Sequence, residues 1–380
     1  MISEPTYLAA KMVSAVINEH FEKQHNSAQQ ENRQASLVPD RYVIEGIIDT
    51  AFWASLRHEE GYVPKISVAY LPPNANENNL ILKHKQRLTP HHLVKLSPAV
   101  IDPGTHLGVW HDGDNLYIWG TTHNVPASCF VLEVIEAGLL IIKQKNAGSS
   151  GKFINIAMLK GDQIKLVDEN QWGYLDNYPD LLTVLLGFPV SSIKEETVNI
   201  LVELAVAMRR HGRGALMLVV PADSHNWLKS IVHPVNYLLD PPYALIASNK
   251  GIQEKTDYTG EYKSQLRRAI NSIGGFSAID GATVMTREHQ LLAFGAKVAR
   301  SNDGIPVAQI LLSEPVKGKE AELLDITEIG GTRHLAAAQF VHDQHDAMAM
   351  VASQDGLFTV FSWSYDLNIV HAHRIDLLLM

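Results

Sequence analysis

The 380-residue chain contains one cysteine, Cys129, so no disulfide can form within it and no thiolate zinc site is available. A reducing cytoplasm suits such a chain. Basic residues are also short, with 32 Lys and Arg against 41 Asp and Glu, which leaves a formal charge of -9. A dedicated nucleic-acid binder would carry the opposite excess. Long apolar runs are missing too: the stretch from Ala215 to Pro221 is far below a bilayer span. The start, MISEPTYLAAKMVSAVINEHFEKQ, is broken by Lys11, Asn18 and Glu19, so it reads as neither secretory signal nor anchor. These absences point to a soluble, cytoplasmic protein without a membrane partner.

What is present is an ordinary globular composition, 46% hydrophobic and 19% charged, with length enough for two or three domains. The first sixty residues show helical periodicity, interrupted by a polar stretch over 22–36 that reads as a loop or frayed helix end. Residues 66–167 turn to short β-rich runs, such as KISVAYL, NLYIWGTT and GLLIIKQK, which predict an antiparallel sheet. Over 176–192 prolines and a glycine interrupt the pattern. Ser192 with Glu195 then forms a capping-box pattern, and the helix that follows closes at Gly212. This predicts two domains, 1–188 and 189–380.

The second half reads helix, strand from Gly214, helix over 226–239, helix from Glu261, two strands flanking TREHQ, strand VAQILLS, a helix after GGTRH, and a last strand pair joined at QDG. The fold class expected is α/β (α+β): a C-terminal mixed sheet flanked by helices, preceded by a β-rich N-terminal domain with helices at its start.

Three stretches could carry chemistry. In GGTRHLAA, residues 330–337, Gly331, Thr332, Arg333 and His334 at a helix start could grip a phosphate; equally, Thr332 could be a plain N-cap. Asp280, followed by Gly281 and Ala282, is either a ligand-facing carboxylate that Gly281 lets the backbone approach, or a turn aspartate. In HDQHD, His342 and His345 could hold a metal or belong to a solvated helix end. In the first half, Trp110, Trp119 and His111 could line a ligand pocket, though strand aromatics are more often core. The RRHGR run at 209–213 reads as a cationic helix end.

Taken in order, GALMLVV, DGA at 280–282, a hairpin, GTRH at 331–334 and SQDG at 353–356 resemble the catalytic domain of the diadenylate cyclases, over roughly 190–370. The first half resembles the sensor-type domains that precede it in some bacterial proteins. The resemblance implies condensation of two ATP into cyclic di-AMP and two pyrophosphates by a homo-oligomer whose catalytic domains face each other, with Mg or Mn as cofactor. It assigns Asp280 to the metal and the ribose 3′-hydroxyl, and Gly281 and Ala282 to the nucleotide pocket. Gly331, Thr332, Arg333, His334 and Ser353 fall to the phosphates; Asp280, Arg333 and His334 form the catalytic set. The ligand of the first half stays open. The chain departs from the family pattern at Leu335, where a second arginine is usual, at Gln354, where a glutamate is common, and at Ile279, where several members have histidine. Arg300 is a candidate to replace the missing cation. A catalytically impaired nucleotide-binding module is the rival reading, and a metal hydrolase built on HDQHD a third.

Overall fold

The computed structural model describes residues 6–30, 37–58, 61, 64–73, 79–123, 125–145, 153–168, 192–244, 246, 260–302 and 304–380. The chain divides into two compact units, 1–167 with Met380, and 168–379. The sequence-based boundary near 188 lies outside the described residues.

In the first unit, helices α1 (Leu8–Gln30), α2 (Arg41–Ser55) and α3 (Pro90–Leu96) accompany an eight-stranded sheet. Its strands are β1 (Ile66–Tyr70), β2 (Leu80–Arg87), β3 (His106–Asp112), β4 (Asn115–Thr122), β5 (Phe130–Glu136), β6 (Leu139–Lys145), β7 (Phe153–Lys160) and β8 (Gln163–Leu166), in the order β2-β4-β3-β1-β5-β6-β7-β8. The sheet is mixed, not purely antiparallel, because β1 and β3 run parallel with α3 in the connection between them. A parallel pair needs such a crossover, and the short PHHLVKL segment gave little periodicity to announce it. Ile44, Ile47 and Ile48 of α2 recur at helical spacing and bury against Val68, Leu132 and Leu140 of the sheet. The polar stretch after Glu22 is helical as far as Gln30, since nothing in it breaks a helix before the undescribed residues 31–36.

The second unit holds a nine-stranded mixed sheet, order β10-β12-β11-β9-β15-β16-β17-β13-β14. In chain order its elements are α4 (Ser192–Arg210), β9 (Ala215–Val220), β10 (Tyr237–Tyr243), α5 (Gly260–Phe276), β11 (Ala282–Thr286), β12 (Leu291–Ala296), β13 (Gln309–Ser313), β14 (Glu322–Asp325), α6 (Thr332–Asp343), β15 (Met348–Ala352), β16 (Phe358–Ser364) and β17 (Ile369–Arg374). Strand β9 is buried along its whole length, as its unbroken apolar run requires. Leu216, Leu218 and Val220 of β9 share a core with Ala337, Ala338, Phe340 and Val341 of α6.

The helix expected over 226–239 is replaced by a 3-10 turn, Asn226–Ser230, and edge strand β10. Pro234 removes an amide donor and breaks the helical register, and Pro241 and Pro242 are tolerated only because β10 is an edge strand. Strands β14 and β17 complete the sheet; neither was read from the sequence. Ser192 is the first helical residue of α4 rather than its cap, and the position before it lies outside the described residues. Gly212, at φ 64°, does close α4, its N–H donating to the Arg209 carbonyl at 3.1 Å.

Candidate functional site

Strand register collects the motifs at one end of the second sheet. Strand β11 runs parallel to β9 with Ala282 beside Leu216, so Asp280, two residues before β11, lies at the end of the sheet where Gly214 leads into β9. Strand β15 runs antiparallel to β9 with Ala352 beside Ala215, which brings Ser353, Gln354 and Asp355 to the same end. Thr359 pairs with Arg374, adding the last residue of β17. Helix α6 packs against β9, β15, β16 and β17 and presents its N-terminal turn here.

Asp280 is exposed, and Gly281 behind it has φ 104°. A Cβ on Gly281 would stand 2.5 Å from the carbonyl carbon of Gly295, so only glycine lets β11 and β12 close at this turn. Gly214 has φ 74°, and a Cβ there would stand 2.9 Å from Arg333 Nη1 and 3.4 Å from Gln354 Cγ. The Arg333 guanidinium therefore lies directly over the entrance of β9.

Gly331, not Thr332, is the N-cap of α6; it has no side chain to cap with, and Thr332 is the first helical residue. The His334 and Leu335 N–H groups both turn back to the Gly331 carbonyl, at 2.9 and 3.3 Å, while those of Thr332 and Arg333 meet no acceptor among the described residues. The helix start thus keeps free donors at its positive end.

His334 is 6% exposed, with its ring over Gly330 and edge-on to Phe361. Burial pushes its pKa down, Arg374 pushes the same way, and Asp355 pulls it up. Asp355 accepts a short hydrogen bond from Ser353, which holds its carboxyl below the usual range, with the Leu357 N–H and His334 acting in the same sense. The turn between β15 and β16 is thereby linked to α6.

The RRHGR run, which the sequence reads as a cationic helix end and no more, is brought by the fold to this place. His211 Nδ1 accepts the Arg213 N–H at 3.1 Å, and its Nε2 lies 3.2 Å from Ser277 Oγ, whose hydroxyl donates to the Gly274 carbonyl at 2.6 Å. That chain fixes the neutral Nε2–H tautomer. Burial lowers the His211 pKa, and the charges of Arg213 and Arg333 lower it further. Gln354 Nε2 donates to the Arg213 carbonyl at 3.4 Å. The signal available in the sequence was Gly212, which reads as a helix stop, and Gly214, which opens a strand; neither gives a hint of a guanidinium above it.

Other candidates lie elsewhere. The Ser301 N–H, next to Arg300, donates to Asp343 at 2.7 Å, on the last turn of α6, about 15 Å along the axis from Arg333. Arg300 is therefore not at the Arg333 end. His345 stacks on Trp363 at 3.7 Å with His342 edge-on, and Asp343 also accepts from Gln339 at 2.9 Å, so HDQHD is occupied as the packing of a helix end. Among the described residues no three His, Cys, Asp or Glu side chains are grouped to hold a metal. A divalent ion at Asp280 would draw one carboxylate from the protein and the rest from phosphate and water, which is the habit of Mg bound with a nucleotide. In the first unit Trp119 is 4% exposed with its indole N–H on the Leu71 carbonyl at 2.8 Å, while Trp110 stacks on Tyr70 and the Tyr70 hydroxyl meets His111 Nδ1 at 2.8 Å. These aromatics are sheet packing.

Residues 33–123 match the family described as a probable sensor domain, DACNV, the domain that stands N-terminal in diadenylate cyclase proteins. No curated protein matches the chain. No described helix is long and apolar enough to cross a membrane.

Proposed function

We propose that the second unit is a diadenylate cyclase that condenses two ATP into cyclic di-AMP and two pyrophosphates, under control of the sensor-type first unit. The observation that carries the reading is that Asp280 lies at the same sheet end as Arg333, whose guanidinium sits against Gly214, three separate stretches of sequence being gathered there. A chance resemblance of short motifs gives no reason for them to converge.

In this reading the 3′-hydroxyl oxygen of one ATP attacks the α-phosphorus of the other, and the bond to pyrophosphate breaks. Asp280 accepts the hydrogen bond of that hydroxyl, orients it and takes its proton as the new O–P bond forms, to pass it on to solvent. Arg333 and the free N–H groups of Thr332 and Arg333 hold the phosphate oxygens, supplying positioning and charge neutralisation, the main demands of phosphoryl transfer. Ser353 and Asp355 fix the turn that borders the phosphates, and Gly281 and Ala282 shape the nucleotide pocket. Mg or Mn, when bound at Asp280, would neutralise part of the triphosphate charge. Each unit carries one such set, so closing a two-fold ring requires two catalytic units face to face.

Leu335, half-buried where the family usually has arginine, and Gln354 in place of glutamate favour a second reading, in which the unit binds nucleotide without turning it over. Incubation of pure protein with ATP and Mg or Mn, followed by separation of nucleotides, decides. Cyclic di-AMP is expected; bound but unchanged ATP supports the second reading; ADP or AMP overturns both.

A further inference from the structure

We infer that Arg213 is a second polyphosphate-binding residue of this site, supplying from the entrance of β9 the guanidinium that α6 lacks at Leu335. The inference rests on the nucleotide reading for the identity of its anion, but its residues are fixed by geometry. Arg213 precedes Gly214, the residue over which the Arg333 guanidinium lies. Its backbone is held on both sides: the N–H by His211, itself anchored through Ser277 to the end of α5, and the carbonyl by Gln354 of the β15–β16 turn. A side chain carried on backbone so constrained is well placed to act as a fixed binding group, and Arg213 is exposed.

Charge balance points to an anion. Glu314 is paired with Arg374 at 2.9 Å and with Lys319 at 2.9 Å, whereas Asp355, hydrogen-bonded by Ser353, and the exposed Asp280 keep their charge and form no ion pair with either arginine. Neither Arg213 nor Arg333 has a carboxylate partner among the described residues. The charges of both guanidiniums act on His211, so both lie in its neighbourhood, where a shared anion would offset them. The His334 ring, in a residue 6% exposed, likewise meets no hydrogen-bond partner among the described residues and lies beside the same turn. A chain of phosphates carrying about four charges answers each of these groups at once, and planar guanidiniums are suited to bind it in pairs of hydrogen bonds. On this account Leu335 is tolerated because the second cation arrives from another strand.

The test is calorimetric titration of inorganic tripolyphosphate into the full chain at two ionic strengths, for wild type, Arg213→Gln, Arg213→Lys and Arg333→Gln. Arg213→Gln should weaken binding at least tenfold and flatten its salt dependence with an unchanged melting temperature, and Arg213→Lys should recover most of the loss. Adding Leu335→Arg to Arg213→Gln should also restore affinity, because the two positions serve the same phosphates. If Arg333→Gln loses binding while Arg213→Gln binds as wild type, the role of Arg213 is refuted and the nucleotide site survives. If neither substitution alters binding, the nucleotide reading itself fails. A loss in Arg213→Gln that comes with a lower melting temperature and is not rescued by lysine would make Arg213 a structural residue and overturn the inference.

Discussion

The Arg333 guanidinium occupies the space that any side chain at Gly214 would need, with Nη1 2.9 Å from where a Cβ would be. One residue is the first helical arginine of α6 and the other the entrance of β9, and each is intelligible only through the other. A glycine at φ 74° supplies the turn, and its bare face supplies the seat.

Gly214→Ala should therefore act on both fold and site. The positive φ strains an alanine by about 1–2 kcal/mol, and the methyl pushes Arg333 off its seat. We expect a modest fall in melting temperature and at least a tenfold loss of ATP affinity by calorimetry. An alanine variant that melts lower but binds ATP as wild type would show that the position of Arg333 does not matter for nucleotide.

Asp280→Asn keeps the shape of the turn and removes the charge. Turnover to cyclic di-AMP should fall at least about a hundredfold while ATP still binds through Arg333. Excess variant mixed with wild type should also poison it, because a mixed pair can form at most one of the two bonds that close the ring. Constant activity per wild-type molecule across the titration would speak against paired catalytic units.

Each unit carries a buried neutral histidine that makes stability depend on pH. Burial lowers His106 in the first unit to about 4, against the opposing charge of Glu133, and lowers His371 in the second to about 4. His371 Nε2 and His373 Nδ1 share the Ser313 hydroxyl at 2.9 and 3.0 Å, and His373 is depressed as well, by burial first and then by His371. A histidine whose folded pKa is depressed takes its proton in the unfolded chain first. Stability is then full above the ordinary value of 6.5, falls as pH drops towards about 4, and levels off below it. His106 and His371 should each cost about 3 kcal/mol across that window. Thermal melts from pH 7 to 4.5 should show the decline, and His106→Gln should flatten it for the first unit. A melting temperature independent of pH would contradict the burial of these rings.

A fragment starting at Asp168, the first residue of the second compact unit, should fold and bind ATP, with turnover changed in magnitude by loss of the sensor-type unit. Gel filtration and calorimetry check this directly. An aggregated fragment, or one without affinity under conditions where the full chain binds, would show that the second unit does not stand alone.

Much of the architecture could be read along the chain because it follows from local pattern. The β-rich runs of 66–167, the apolar β9 and the small-residue run of α6 each dictate an element through propensity and local pattern. Edge strands escaped notice: β10 and β14 are mostly exposed, so no buried face imprints alternation on them, and β10 carries two prolines. Whether strands run parallel, as β1 with β3 and β9 with β11, is a matter of pairing between distant segments, and no local window contains it.

The candidate site divides the same way. The order of DGA, GTRH and SQDG marked candidate residues through a family resemblance, and the chemistry open to a carboxylate, a guanidinium and a helix start follows from their types. Only the tertiary structure decided their neighbours. It put Asp280 at the sheet end where β9 begins, seated Arg333 on Gly214, moved the cap from Thr332 to Gly331, left Arg300 at the far end of α6 and brought Arg213 in from a helix end that the sequence marked as surface. Proximity between residues more than a hundred positions apart is fixed by sheet order and loop closure, and a linear chain carries that information only through the energy of the whole fold.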